Sequence, residues 1–383
     1  MAWKEENINA YVRDLIRPHL HSSFVAHKPL IAILMGADKA NLDRMGDPKL
    51  GMFLGGRNIG IGERNMLAGS KTHSFRYQKS QTDVATVVQA GAATPTSSGF
   101  AEDNVGTLGV NWTHFWNPLK IREDTISNIQ NGGTGHGENS NIQIARVLEE
   151  AVAFGFQRSL EKQQAKLWAG TLTSAQQDFD VQTWADYIGV THWVDNGATY
   201  DTIGGVDRTV HTQLKAVQNA VGGVDFGDGN GEVNIRGLRQ LRLLDTYGAV
   251  RKKRANAGTL VITTPAIWEG LANAADLRNQ INSNSIRPFA ETGFKNPYVE
   301  VDDMIITWDH DCPAAELYML TPDSWVFELQ AGSNFNVEPW TEKWRSEEGG
   351  DYYRWTQIHA KSRLICREPW LQMKCTGVVA LNA

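Results

Sequence analysis

Apolar residues recur with helical spacing over residues 139–169, and this stretch is the clearest element in the sequence. Its apolar positions follow one another at intervals of three, four or seven residues: Ala145, Leu148, Val152, Phe156, Leu160 and Leu167. Such spacing places one apolar stripe along a helix of 3.6 residues per turn. Ser140 and Gln143 have the spacing of a capping box, and Gly170 is a typical stop signal. The pattern therefore predicts a spine helix about 45 Å long.

Before this helix, two runs rich in β-branched and aromatic residues predict a long β-hairpin. The runs cover residues 72–88 and 105–122, and a small, polar segment at 90–104 is expected to form a mobile tip. In the second run, alternate positions are expected to share one face: Val110, Trp112, His114 and Trp116. Residues 1–70 carry many Gly and Pro residues, which is typical of an extended arm.

The second half of the chain mixes helical and strand patterns. Helices are predicted over 210–221 and 234–247, and a third begins at Pro265 with Thr264 as its cap. Strands are predicted over 259–263, 298–308, 316–320, 325–329, 355–366 and 376–381. Residues 346–353 have the composition of a hairpin tip. The sequence thus predicts an α+β fold without internal repeats.

Charge and composition narrow the class of protein. The chain has 383 residues, with 37 Lys and Arg against 43 Asp and Glu, which gives a formal net charge of −6. Hydrophobic residues make up 41% and charged residues 21%, so a folded globular chain is expected. There is no whole-chain basic excess of the kind that binds duplex nucleic acid.

Localisation signals are weak. The longest apolar stretch, residues 29–37, is less than half of the roughly 20 residues that a membrane-spanning helix needs. Residues 1–17 lack the apolar core of a signal peptide. The three cysteines include no Cys-x-x-Cys pair, which suits a reducing compartment: Cys312, Cys366 and Cys375. We expect no membrane association and a cytoplasmic site of synthesis.

Two glycine-rich loops have the composition of ligand sites. Residues 132–137 precede the spine helix and could cradle a phosphate, although the spacing fits no phosphate-binding motif and a hinge is the simpler interpretation. Residues 225–232 begin with Asp-Phe-Gly and resemble a calcium loop in composition. The calcium ligand spacing and the kinase catalytic loop are both missing, so an exposed turn is favoured.

One short segment concentrates reactive groups. Residues 308–312 read Trp-Asp-His-Asp-Cys, with Asp309, His310 and Cys312 as candidates for metal binding or acid–base catalysis. A strand is expected to end here, with Asp309 and Asp311 on one side and His310 on the other. No second pair of ligands follows at metal spacing, so a structural turn is favoured and no catalytic residue, cofactor or metal is predicted.

Basic and aromatic residues are the remaining candidates for contacts. A basic patch follows the predicted helix at 234–247: Arg236, Arg239, Arg242, Arg251, Lys252, Lys253 and Arg254. It could face DNA phosphates, form salt bridges between subunits or simply be solvated. The 13 Trp residues are typical of core or interface anchors, with a carbohydrate platform as the alternative.

Three stretches of sequence, together with the order of the elements, resemble a known family. They are Tyr200-Asp-Thr-Ile-Gly-Gly-Val-Asp-Arg208, the strand-to-helix step at 259–268, and Asp311-Cys-Pro followed by residues 316–325. An extended arm, a long hairpin, a spine helix, an α/β lobe and C-terminal strands follow in the same order. The chain resembles the major capsid protein of tailed bacteriophages, which has the Hong Kong 97-type fold, and the resemblance covers essentially the whole chain.

The resemblance implies a division of the chain. The fold would be an α+β Hong Kong 97-like capsid fold with these parts: N-arm 1–70, E-loop hairpin 71–127, P-domain spine helix 128–171, A-domain 172–330, and P-domain sheet with P-loop 331–383. An arm and a projecting hairpin cannot bury themselves, so neighbouring subunits are expected to cover them.

The resemblance also implies a function. Copies of the chain would form pentamers and hexamers of an icosahedral shell around double-stranded DNA, which they would contact without sequence specificity. Assembly would take place in the host cytoplasm, with a separate scaffolding protein, a portal and a decoration protein as further partners. No Lys–Asn crosslink is expected from Lys71 or Lys79. The expected intersubunit contacts are Phe75, Tyr77, Trp112, Trp116, Trp344, Tyr352, Tyr353 and Trp355.

Three other interpretations remain open from the sequence. An encapsulin-like compartment would have the same fold and enclose a cargo enzyme. A cytoplasmic enzyme would use the segment at 309–312 or the glycine loops, and a tail protein would bind glycans through its tryptophans.

Overall fold

The structure is a computed structural model, and it describes the parts of the chain that form the helices and strands. The described residues are 30–31, 53–54, 57–58, 63–66, 72–78, 105–122, 137–170, 187–204, 206–220, 237–240, 260–279, 299–301, 304–321, 324–330, 336–340, 344–345 and 352–379.

Three helices and eighteen strands are defined among these residues. The helices are α1 (Gly137–Ala169), α2 (Val190–Trp193) and α3 (Pro265–Asn279). The first nine strands are β1 (Phe53–Leu54), β2 (Arg57–Asn58), β3 (Glu63–Met66), β4 (Thr72–Gln78), β5 (Val105–Asn111), β6 (Thr113–Arg122), β7 (Thr202–Ile203), β8 (Val206–Asp207) and β9 (Val217–Ala220). The others are β10 (Leu260–Thr263), β11 (Val299–Val301), β12 (Met304–Trp308), β13 (Glu316–Leu320), β14 (Trp325–Gln330), β15 (Asn336–Val337), β16 (Trp344–Arg345), β17 (Tyr352–Cys366) and β18 (Met373–Thr376).

The spine helix α1 has 33 residues, which confirms the predicted long helix. Its apolar stripe is buried, as the spacing predicts: Leu148, Val152, Phe156, Leu160 and Leu167. The helix begins at Gly137, so Ser140 lies inside it and the predicted capping box is wrong. At the other end Gly170 has φ +66°, and a Cβ there would lie 2.7 Å from the carbonyl oxygen of Tyr187. The close approach and the left-handed backbone both require glycine.

The first six-stranded sheet has the order β11-β12-β10-β13-β18-β9. The pairs β10–β12 and β18–β9 are parallel, and the others are antiparallel. Both faces are covered: Tyr318 stacks near Trp168 of α1, with ring centroids 5.1 Å apart, while Val261 packs in the cluster that contains Leu271 of α3. Because each face is buried, the strands are almost continuously apolar.

The second sheet is organised around the 15-residue strand β17. One edge of β17 pairs with the whole of β6, from Thr113 opposite Ser362 to Arg122 opposite Tyr353. The other edge pairs in turn with β14, β15 and β16, and β3 joins β14 in parallel. The β16–β17 pairing flanks the predicted hairpin tip at 346–353.

The predicted long hairpin is confirmed over β4 and β5, which pair from Thr72 opposite Asn111 to Gln78 opposite Val105. The expected single face of the second run is wrong. Val110 and Trp112 are buried, but Trp116 is 60% exposed because the alternation of inward and outward side chains reverses at Trp112, between β5 and β6. The predicted tip at 90–104 lies outside the described residues.

Three other predictions in the second half are corrected. Residues 210–221 form a single turn of 3₁₀ helix (Thr212–Leu214) and strand β9 instead of a helix. Residues 298–308 divide into β11 and β12, which pair antiparallel with each other. The strand predicted at 376–381 is β18, which ends just before Gly377 with φ +75°. Of the helix predicted at 234–247, residues 237–240 are described and are helical.

The main hydrophobic core joins α1 to both sheets, and sheet membership crosses the predicted boundary at residue 330. Strand β14, inside the segment 172–330, belongs to the second sheet, whereas β18, inside 331–383, completes the first. The α+β class is confirmed. Within the described residues, no helix has the length and apolar character needed to span a membrane.

Candidate intersubunit surface

The ladder between β6 and β17 has one face covered by α1. Asn117 Nδ2 donates a hydrogen bond to the Gly155 carbonyl oxygen (2.9 Å), and Gln163 Nε2 donates to Ser362 Oγ (3.1 Å). Because side chains alternate along a strand, the residues between these positions must point away from the helix. That second side is called the aromatic sheet face, and its members are His114, Trp116, Pro118, Lys120, Arg122, Tyr353, Trp355, Gln357, His359 and Lys361.

Register brings three of the predicted contact residues to this face. Trp116 lies opposite His359, while Trp355 and Tyr353 lie opposite Lys120 and Arg122. Trp116 is 60% exposed, and the other two aromatic residues are partly buried. The result is a row of aromatic and basic side chains along one ladder, and its aromatic members are the residue types that are enriched in protein interfaces.

The other predicted contact residues differ in position. Trp344 is paired with Tyr353 at the end of β17, so its register position continues the aromatic sheet face into β16, whereas Tyr352, which is exposed, alternates to the opposite side of β17. Phe75 and Tyr77 lie on β4, opposite Leu108 and Gly106. Among the described strands β4 pairs only with β5, so the structure does not bring these two residues to the aromatic sheet face.

Trp112 is an interior residue, and the prediction that it contacts a neighbouring subunit is corrected. It is 5% exposed, and the guanidinium carbon of Arg363 lies 4.0 Å from its ring centroid. Arg363 Nε donates to Glu328 Oε2 (2.5 Å), and Nη1 donates to the Val110 carbonyl oxygen (3.3 Å). Burial lowers the pKa of Arg363, and Glu328 opposes this shift. We call these residues the Arg363 latch, because they attach the base of the hairpin to β14 and β17.

Two histidines add pH-sensitive groups to the aromatic sheet face. The rings of His114 and His359 meet edge to face at 5.8 Å, and His359 Nδ1 lies 3.4 Å from Glu338 Oε1. Burial lowers the pKa of His114, and the positive charge of Lys361 adds to the effect. His114 is therefore favoured as the neutral ring, which limits the positive charge of this face near neutral pH.

The predicted basic patch is described at one residue. Arg239 is exposed within the helical residues 237–240. The other members lie outside the described residues: Arg236, Arg242, Arg251, Lys252, Lys253 and Arg254. A role for the patch stays a prediction.

The segment at 308–312 is a structural clamp. Asp309 is 1% exposed, and its Oδ2 accepts hydrogen bonds from the Leu30 amide (3.2 Å) and from Gln164 Nε2, while Oδ1 accepts from the Asp311 amide (2.9 Å). Asp311 itself is exposed, so the expectation that both carboxylates share one side is wrong. Burial raises the pKa of Asp309.

The remaining groups of this segment do not converge on a ligand. Cys312 is buried, and burial raises its pKa well above the usual range. His310 is exposed and stacks edge to face on Trp308. No group of three His, Cys, Asp or Glu side chains within the described ranges is arranged to hold a metal ion.

The other motifs of the sequence have structural roles or lie outside the described residues. Arg208, which closes the first family-like stretch, is buried and donates to the carbonyl oxygens of His192 (2.6 Å) and Asp195 (3.2 Å). Burial lowers its pKa to about 10. Of the glycine loop at 132–137 only Gly137 is described, as the first residue of α1, and the loop at 225–232 is not described.

Solved structures identify the fold. The capsid of cyanophage A-1(L) matches with a TM-score of 0.52 and 11% identity, over 93% of this chain and 94% of that one. A chain of Mycobacterium phage Bobi matches with a TM-score of 0.45 and 10% identity, over 82% and 87% of the two chains. The holo-SrpI encapsulin complex of Synechococcus elongatus matches with a TM-score of 0.43 and 9% identity, over 82% and 84%. No protein-family model and no curated protein matches the sequence.

The likeness to the cyanophage capsid defines the class of fold first: the chain has an α+β capsid-protein fold that extends over nearly its whole length. The resemblance to the major capsid protein of tailed bacteriophages, expected from the order of the elements, is confirmed at the level of the fold.

Proposed function

We propose that this chain is the major capsid protein of a tailed phage, and that its copies assemble through pentamers and hexamers into an icosahedral head around double-stranded DNA. The observation that carries this proposal is the cyanophage capsid likeness, which covers 93% of this chain and 94% of the other. A match of that extent supports a likeness of the fold over nearly the whole chain rather than of a single element.

The described surfaces support assembly. Trp116 is 60% exposed on the aromatic sheet face, and Phe154 is 65% exposed on α1. Large aromatic residues in such positions are typical anchors of protein interfaces. The hairpin formed by β4 and β5 pairs with no other described strand. A neighbouring subunit would cover these elements in a closed shell.

The parts of the capsid fold are assigned as follows. The hairpin is the E-loop, α1 with the second sheet is the P-domain, the first sheet belongs to the A-domain, and residues 1–70 are the N-arm. The head would form in the host cytoplasm with a separate scaffolding protein, a portal and a decoration protein. We propose no catalytic role for any residue.

The direct test is assembly of the recombinant protein, alone and with a co-expressed scaffolding protein. Negative-stain microscopy and light scattering are expected to reveal closed particles hundreds of ångströms across. A stable monomer or dimer under both conditions would overturn the proposal. Particles that enclose a partner enzyme instead of DNA would identify a compartment of the encapsulin kind.

The contribution of the aromatic sheet face is tested by Trp116→Ser. An interface anchor is worth about 2 kcal/mol or more, so the concentration needed for assembly should rise at least about tenfold. The matched control is Val210→Ser, which changes an exposed apolar residue in a turn. The thermal unfolding midpoint of the free subunit should be unchanged in both variants. If both variants assemble at the same concentration, Trp116 is not part of the interface.

A further inference from the structure

The exposed side of α1 carries a line of basic residues that neither the fold nor the aromatic sheet face explains. Arg158, Lys162 and Lys166 follow one another at intervals of four residues, and all three side chains are exposed. We call them the basic stripe. Residues four apart lie on the same side of a helix, at a rise of about 6 Å. The stripe therefore forms a straight row about 12 Å long.

The basic stripe has no partner among the residues that the structure describes. None of its three side chains makes a hydrogen bond or ion pair with any residue in the part of the chain that the structure describes. The neighbouring acid, Glu161, accepts a hydrogen bond from Gln157 Nε2 (3.1 Å). Like charges four residues apart destabilise a helix by about 0.2–0.5 kcal/mol per pair, so the row costs stability within the subunit.

The helix dipole accounts for one residue of the three. Lys166 lies in the last turn of α1, where a positive charge stabilises the helix. Arg158 and Lys162 lie farther from the end, beyond the range of this effect. Their placement in line with Lys166 points to an external anion.

We propose that the basic stripe binds the phosphates of duplex DNA, so that this side of α1 forms the inner wall of the shell. The inference rests on the proposed function, in which the shell encloses DNA. One strand of a duplex carries one phosphate per 3.4 Å of its axis, so phosphates are dense enough along a duplex for each of the three cations to reach one. Contacts of this kind are independent of base sequence.

The composition of the stripe favours DNA over an acidic protein segment. The exposed residues between its cations are Glu161 and Ala165, and no aromatic residue lies among them. Protein interfaces are centred on desolvated aromatic or apolar anchors. The exposed aromatic residue of α1, Phe154, lies one turn before Arg158 and outside the row of cations. The aromatic sheet face and Phe154 would thus contact a neighbouring subunit, while the helix from Arg158 to Lys166 would contact DNA.

The test compares two triple variants that lose the same charge. R158Q/K162Q/K166Q removes the basic stripe, while K215Q/R354Q/R367Q removes three exposed or half-exposed cations that belong neither to the stripe nor to the aromatic sheet face. Binding of unassembled full-length protein to a duplex of about 30 base pairs is measured as a function of salt. Each lost phosphate contact reduces the slope of log K against log salt by about 0.9. The slope should become shallower by about 2.7 in the first variant and remain unchanged in the control.

Several outcomes would overturn the inference. Equal slopes for the two triple variants would mean that only the total charge matters. Loss of binding to polyglutamate without any change toward DNA would identify an acidic protein as the partner. The single variant Lys162→Gln, expected to change the slope by about 0.9, keeps the test valid if the triple variant folds poorly.

Microscopy of the same samples separates this inference from the proposed function. Wild-type protein that forms no particles under any condition contradicts the shell, whatever the DNA measurement gives. Shells of R158Q/K162Q/K166Q that assemble normally, together with the shallower salt slope, support a role of the stripe in DNA contact alone.

Discussion

Removing the charge of Arg363 should be among the most damaging single changes in this protein. Arg363 Nε lies 2.5 Å from Glu328 Oε2, and the exposed fraction of each side chain is 2%. Replacing Arg363 by Met removes this ion pair and leaves the carboxylate of Glu328 buried. Breaking a buried ion pair in this way costs about 3–5 kcal/mol. A loss of that size is a large part of the free energy of unfolding of a typical domain.

The double variant R363M/E328L separates the stability lost by breaking the ion pair from the stability that the other contacts of Arg363 contribute. It removes both charges, and buried pairs replaced by apolar residues are often neutral in stability. The double variant still loses the stacking of Arg363 on Trp112 and the hydrogen bond of Arg363 to Val110. Together these losses should lower the free energy of unfolding by about 1–3 kcal/mol. The double variant should therefore be more stable than R363M alone and less stable than the wild type.

Urea unfolding of the unassembled subunit, followed by tryptophan fluorescence, measures both effects. The midpoint should be lowest for R363M and intermediate for R363M/E328L, with similar slopes for all three proteins. A cost below about 1 kcal/mol for R363M, or a double variant no more stable than the single one, would refute the reasoning.

Three further predictions concern close packing and titration. Gly155→Ala should destabilise the subunit in thermal unfolding, because the new Cβ would lie 2.4 Å from Leu119 Cδ2. In a Leu119→Ala background this clash is absent, so the same change should stabilise the subunit by up to about 1 kcal/mol, which is the helix preference for Ala over Gly. Asp309→Asn should lower the free energy of unfolding in urea by about 1–3 kcal/mol, because an NH₂ group replaces one of the two oxygens that accept hydrogen bonds. A decrease below about 0.5 kcal/mol would contradict the structural role of Asp309. The lowered pKa of His114 means that the unfolded chain takes up its proton first, so stability should fall as pH decreases from about 6.5. His114→Gln should weaken that dependence in urea midpoints recorded from pH 7 to pH 5, and an unchanged pH profile would exclude the histidine as its source.

Elements with a strong local pattern could be predicted from the sequence. The apolar stripe of α1 and the short apolar runs of β10 and β13 match their structural positions closely. The helix expected at 210–221 failed because β9 gains its hydrogen bonds from β18, which lies more than 150 residues later. No local signal reports such a partner, and tertiary pairing overrides weak helical preference there.

The candidate surface was predictable in its residue types and not in its geometry. Trp116 and Trp355 were expected as contacts, but the ladder between β6 and β17 alone determines that they share one face. Trp112 has the same residue type and lies in the same run, yet it is buried under Arg363. The reversal of alternation at that point depends on the distant Arg363 and Glu328, so spacing along the chain could not reveal it.

The interleaving of the two sheets has a consequence for synthesis of the chain. Strand β18 lies between β13 and β9, so the first sheet cannot be completed until residues 373–376 have left the ribosome. The second sheet likewise waits for β17, whose partner β6 is made more than 200 residues earlier. Pairings this distant in sequence slow folding and favour a late, cooperative collapse. Nascent chains would therefore remain unable to associate in register, and under the proposed function only finished subunits would join a growing shell.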